Sequence, residues 1–363
     1  MFYRETGSFQ TSYQSDQSLL KLRLDRVGII FWLLVAFVVF PALKNEYWLG
    51  SIMIPILISV IAALGLNILT GYCGQLSLGT GAFMATGAYM GYKLTTANFG
   101  IEGFQLNIVL VLFLSGLITA FVGVIFGLPS LRIKGFYLAV TTLAAQFFLL
   151  WLFNKVPWFV NDSISGVPSA PPRAIFGQTV SGAEAGILQR YYFVLVVTVV
   201  MTLIAINLVR GRIGRSWMAI RDMDIAAELI GIRPLVAKLT AFAVSSFFCG
   251  VAGMLWAFTY INTVEQTAYD INRSFQVLFM IIIGGLGSIL GAYFGAIFII
   301  LLPIMLNNAP QWLGLELQTN VITHIEFMTF GGLIVFFLIV EPHGLARLWQ
   351  IVKEKLRLWP FPH

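Results

Sequence analysis

The sequence predicts an all-α polytopic membrane protein of about ten transmembrane or half-membrane helices, and three observations lead there. Only 10% of the 363 residues are charged and 58% are hydrophobic, with a mean hydropathy of +0.87, whereas soluble domains are about 25% charged. Apolar runs of roughly the 20 residues that cross a bilayer recur along the chain. Lys and Arg gather in alternate intervals between those runs, the pattern that orients membrane proteins. A net charge of +6 would also suit nucleic acid. The basic residues fall between spans, however, so orientation is the better reading and no nucleic-acid partner is expected.

The elements follow in order. Residues 1–26 form a polar tail rich in Ser, Gln and Tyr, predicted to be disordered and cytoplasmic. The first apolar run, 27–43, is followed by Lys44-Asn45-Glu46 rather than a small-residue cleavage site, so it is read as a retained span. It opens a transmembrane domain over 27–342. The second span covers 49–70, with Pro55 tolerated inside it. Next comes GYCGQLSLGTGAFMATGAYMGY, residues 71–92. Its glycines predict a backbone break over 71–79 and a third span over 80–96, where Gly87 and Gly91 make a GxxxG pair. Such a break occurs in a membrane only where protein covers it or a cavity adjoins it. Pathway wall and helix packing are both open for this block.

Spans four and five are expected over 106–127 and 136–153, joined by a link with Arg132 and Lys134. A Pro- and Gly-containing stretch, 155–190, reads as an external loop. Spans six (191–209) and seven (239–260) flank the most charged segment, 210–238. The run 274–306 is too long for one ordinary span, and GGLGS (284–288) divides it into a short descending segment, 275–284, and an ascending helix, 288–306. Gly287, Gly291 and Gly295 are spaced to pack one helix face. The last span is 321–340, with His324 and Glu326 near its start. The tail 343–363 interleaves Arg347, Lys353, Lys355 and Arg357 with Leu and Trp, as in an amphipathic surface helix. With the amino terminus inside, sixteen of the 22 Lys and Arg residues fall in cytoplasmic intervals.

No enzyme signature is present: there is no phosphate loop, no HExxH and no GxSxG, and the three histidines lack ligand spacing. Catalytic and metal-binding residues are therefore not expected. Cys73 and Cys249 are read as small buried residues. No span carries a charge near its middle, as a proton- or sodium-coupled carrier often does; this favours a machine driven by partners. The polar residues Asn67, Gln75, Ser77, Thr80, Thr141 and Gln146 are the candidates for a translocation pathway, against the plainer alternative of hydrogen bonds between helices. Segment 210–238 holds a helix signal. Asp222 or Asp224 is placed to cap it, Ile225 to Ile230 to continue it, Gly231 to end it, and Pro234 to block a restart.

At this point the residues resemble a family. Ala226-Ala227-x-x-x-Gly231 is similar to the coupling motif of ABC importer permeases. GLNILTGYCGQLSLGTGAFMATGAY (65–89), LRIKGFYLAVTTLA (131–144), GRSWMAIRDMDIAAELIGI (214–232) with the following KLTAFAVSS, and GGLGSILGAYFGA (284–296) resemble, in order, the LivM branch of the high-affinity branched-chain amino acid permeases. The resemblance implies an ABC importer permease fold in a bacterial inner membrane. It also implies a second related permease subunit, two cytoplasmic ATPase subunits that use ATP and Mg, and a periplasmic solute-binding protein. This chain itself would bind no cofactor. Arg221, Asp222, Asp224, Ala226, Ala227 and Gly231 would couple it to the ATPases. The chain departs from the family's SLGHAAF at 77–83 and from its Gly-rich segment at 162–167, which leaves branched-chain amino acids, urea, amides and small organic acids open as substrates. Two other classes remain. A secondary carrier or channel would transport alone in liposomes, and a membrane scaffold would give no flux even with partners.

Overall fold

The computed structural model describes residue 12 and residues 23–42, 45–96, 106–130, 137–160, 166–175, 177–312, 319–340 and 344–358. The expectations for the amino-terminal tail up to residue 22, for Arg132 and Lys134, for residues 162–165, and for His343 and His363 lie outside the described residues. Helix α1 spans residues 23–42, α2 Tyr47–Tyr72, α3 Thr80–Thr96, α4 Ile108–Ser130 and α5 Tyr137–Lys155. A two-stranded hairpin follows, β1 Arg173–Ile175 and β2 Gln178–Ser181, then α6 Ile187–Arg210, α7 Arg212–Asp222, α8 Asp224–Leu229 and α9 Pro234–Ile261. The chain ends with α10 Ile271–Gly284, α11 Ile289–Trp312, α12 Thr319–Val340 and α13 Gly344–Leu358. Six of the described helices are long and apolar enough to cross a membrane.

Burial orders them. Helix α2 is apolar all round and buried along nearly its whole length, so it is the central post. Helices α9, α11, α6 and α10 pack against it, α3 packs on α9, and α4, α6 and α11 leave large parts of their surface for lipid. Small residues let the central helices touch backbone to backbone. A Cβ on Gly87 would overlap the Gly250 carbonyl, and one on Gly253 the Met84 carbonyl, so α3 and α9 cross without side chains between them. Gly91 faces Met254 at the same crossing.

Prolines shape the helices in a way the composition explains. Pro41 cannot donate to the carbonyl of Phe37, four residues back. There α1 widens into a π-type turn over Val35–Val39, and the Tyr192 hydroxyl donates to the freed Phe37 carbonyl at 3.3 Å. A similar turn, Trp48–Met53, precedes Pro55 in α2.

Two stretches differ from expectation. The segment 155–190 is more ordered than a plain loop. The stretch leading into its hairpin pairs with the chain just after α9, where Ala170 N donates to Asn262 O and Val264 N to Pro168 O, both at 2.9 Å, and the Arg173 guanidinium donates to the Thr95 carbonyl. Pro234 does not block a restart but begins α9, because a first-turn residue has no helical partner for its N–H. The division at GGLGS is present as the turn between α10 and α11. Between α9 and α10 the chain turns back into the protein: Val264 and Tyr269 are fully buried, and the Tyr269 hydroxyl donates to the Gly253 carbonyl at 2.9 Å.

Candidate functional site

The break after α2 begins at Cys73, two residues later than the sequence indicates, because α2 continues through a π-type turn to Tyr72. From Cys73 to Gly79 the backbone is not helical, and α3 starts inside the protein. Its first amides therefore need partners that water cannot supply. Other helices supply them. Leu78 N donates to Thr142 Oγ1 (2.9 Å), Gly81 N to Ser274 Oγ (2.8 Å) and Ala82 N to Gln146 Oε1 (2.7 Å). The Ser274 hydroxyl in turn donates to Gln146 Oε1, and Gln146 Nε2 donates to the Tyr269 carbonyl.

Gln146 is thus fully buried with its amide committed to capping α3. Thr141 is half-buried on the adjoining face of α5. Thr142, which the candidate set missed, is the residue that meets the break; its i, i+4 spacing to Gln146 was the available signal. Ser77 accepts from Gly79 N within the break. Gln75 Oε1 and Thr80 Oγ1 are buried with no hydrogen-bond partner among the described residues, an uncommon state for buried polar atoms.

Asn67 sits lower on α2 and joins a second network. Its Nδ2 donates to Ser288 O (2.8 Å), and its Oδ1 accepts from Gly287 N (2.9 Å). A Cβ on Gly71 would overlap both Asn67 Oδ1 and Gly287 N, so the last turn of α2 and the turn after α10 meet at backbone contact. Gly287 is not on a helix face as its spacing suggested. Helix α11 begins only at Ile289, and Gly287 holds the turn with φ +74°. Gly291 and Gly295 do lie on α11, against the carbonyls of Gly284 and Met280 in α10.

Arg221, at the end of α7, reaches this junction. Its Nη1 donates to Gly71 O at 2.9 Å, while Nε and Nη2 both donate to Asp222 Oδ1 at 3.0 Å. A polar cavity of about 250 Å³ lies between break and loop, with Cys73, Gln75, Arg221, Asp224 and Lys238 among its lining residues. Burial pushes the Cys73 thiol up to about 12, with Lys238 opposing and Asp224 adding to the effect.

The charged loop contains two helices rather than one. Asp222 closes α7 and pairs with Arg221; Asp224 is the first residue of α8 and pairs with Lys238 at 2.6 Å. Neither caps α8, whose N-cap is Met223 without a side-chain bond, since the extended Met223 backbone already separates the two helices. Gly231 ends α8 with φ +89°: Ile232 N donates to Ala227 O and Gly231 N to Glu228 O, both at 3.0 Å. Ala227 is 2% exposed and packs into this chain, and Ala226 beside it is exposed. Met223, Ile225, Leu229 and Ile230 stand out at 64%, 71%, 84% and 75% exposure, four apolar side chains largely uncovered among the described residues. Spacing alone did not single them out.

Comparison with known proteins bears on the family of the chain. The family model described as "Branched-chain amino acid transport system / permease component" matches residues 48–338. The high-affinity branched-chain amino acid transport system permease protein LivM of Salmonella typhimurium is 30% identical over 352 residues, covering 91% of this chain and 76% of that protein. Its Escherichia coli counterpart is 31% identical with the same coverage. A probable branched-chain amino acid transport permease protein LivM of Methanocaldococcus jannaschii is 24% identical, covering 91% and 95%. No solved structure matches the chain. With these matches beside six long apolar helices, the chain is a multi-pass membrane protein that belongs to the family of branched-chain amino acid transport system permease components.

Proposed function

We propose that this chain is the membrane subunit of an ATP-driven ABC importer for branched-chain amino acids or a similar small polar solute. It works in a bacterial inner membrane beside a second, related permease. Two ATPase subunits that bind ATP and Mg dock on the 210–238 loop from the cytoplasm, and a periplasmic binding protein delivers solute to the hairpin side. Residues 1–26 and 343–363 are cytoplasmic in this arrangement.

The observation that carries the reading is the pairing of an exposed apolar face on α8 with the Arg221 bond to the α2 break. An apolar patch of this kind on a charged loop marks a protein contact. Force applied there passes through α7 to Gly71 and on to the turn at Gly287. The pathway follows the break, where the unpaired Gln75 and Thr80 oxygens offer hydrogen bonds to a passing solute. Asn67 and Gln146 hold its walls. Discontinuous helices near the membrane middle serve solute sites in many transporters.

The test is reconstitution in liposomes with and without the ATPase and binding-protein partners. Solute uptake is expected only with all partners and ATP. Uptake by the chain without ATPases would replace this reading with a carrier or channel.

A further inference from the structure

We propose that the groove between α11 and α13 is a binding site for one anionic phospholipid, with an acyl chain lying along α11 and the headgroup held by the basic side of α13. Helix α13 is not a loose tail. Gly344 at its start packs so closely on the turn after α10 that a Cβ would stand 2.6 Å from Ile283 O and Gly285 N. One turn on, the Trp349 ring lies 5.7 Å from that of Phe294 on α11. Between these contacts the helices leave a gap of about 390 Å³. Phe298, Leu301 and Met305 face it from α11, and Leu348, Trp349 and Val352 from α13; every lining residue is apolar.

The dimensions select the occupant. From Phe294 to Met305 the groove runs about 16 Å at 1.5 Å per residue, close to half of the roughly 30 Å hydrocarbon core. A hydrocarbon chain lying lengthwise fits an all-apolar groove of that length. The charge selects the headgroup. The helix that supplies one wall carries Arg347, Lys353, Lys355 and Arg357 against the single acid Glu354. Basic residues of an amphipathic helix at a membrane surface favour anionic lipid. Because Gly344 sits on the turn between α10 and α11, the lipid would brace the same turn that meets Gly71. The site itself does not depend on the transport reading.

Trp349 provides the probe. The full chain is placed in nanodiscs of phosphatidylcholine containing an equal minor fraction of either brominated-chain phosphatidylglycerol or brominated-chain phosphatidylcholine. Quenching of Trp349 is taken as the difference between the wild-type protein and Trp349→Phe. The proposal expects several-fold stronger quenching by phosphatidylglycerol. It further expects that Arg347→Gln with Lys353→Gln removes the preference while quenching by phosphatidylcholine stays unchanged, which shows the helix still in place. Equal quenching by the two lipids in the wild-type protein would overturn the proposal, since the groove would then hold only bulk lipid. Absence of quenching by either would also overturn it, because protein would be covering the groove; cross-linking between Leu348→Cys chains would identify a second copy there.

Discussion

Arg221 ties α7 to the last turn of α2 with one guanidinium, donating to Gly71 O while the fork on Asp222 fixes its own orientation. A charge-assisted hydrogen bond contributes roughly 1.5–3 kcal/mol, so Arg221→Ala should lower ATP-driven uptake by about ten- to a hundredfold. Basal ATP hydrolysis by the assembled transporter should persist. Arg221→Lys keeps the charge but cannot hold both partners, and should fall between. Equal uptake in all three proteins would remove Arg221 from the coupling path. Cys73 offers a second readout in a Cys249→Ser background. Held near a pKa of about 12 by burial, it has almost no thiolate at pH 8 and should alkylate far more slowly than an exposed cysteine. Rapid alkylation of the resting protein would show that the cavity beside it is open. At this scale the sequence was legible by residue type and less so by face. Asn67 and Gln146 stand out as polar residues in apolar runs. Only the i, i+4 spacing of Thr142 to Gln146 separates it in sequence from Thr141, and the packing of α5 makes Thr142 the hydroxyl that meets Leu78.

Helix α8 makes two neighbouring side chains answer different questions. Leu229 points outward and Ala227 inward, so a charge at each should fail differently. Leu229→Asp should leave insertion and folding normal yet lose co-purification of the ATPase subunits and most uptake. Ala227→Glu overpacks an internal contact, at a typical cost of 1–3 kcal/mol, and should lower the yield of folded permease before any partner is added. If Leu229→Asp retained its ATPases and its uptake, the exposed face of α8 would not be the docking surface. The helix itself was readable from its Ala-rich run and from Gly231. Its start was not, because Asp222 and Asp224 are both good N-cap types and only the backbone shows that Met223 takes that position. The Lys238 pair at Asp224 is part-exposed, worth at most about 1 kcal/mol, and leaves no mark in local sequence.

Across the whole molecule, the long helices were legible because each must hide its backbone from lipid and so announces itself as an apolar run. The hairpin at 173–181 was not, since two short strands and their turn need no such run. The orientation proposed from the charge distribution can be tested directly. Cysteines placed at Ser216 and Ser169 in a chain free of other cysteines should react with an impermeant reagent from opposite sides of the membrane. Both positions reacting in intact spheroplasts would refute the inside-outside assignment.

The caps on α3 also impose an order of synthesis. Ala82 waits for Gln146, 64 residues later, and Gly81 for Ser274, 193 residues later. While the ribosome is still making α4 to α9, the start of α3 has no mate for its Gly81 amide, and leaving such a group unpaired costs about 1–3 kcal/mol. The nascent helix gains this cap only when α10 arrives. Chains stalled before residue 274 should therefore leave α3 open to protease, and chains stalled after α10 should protect it.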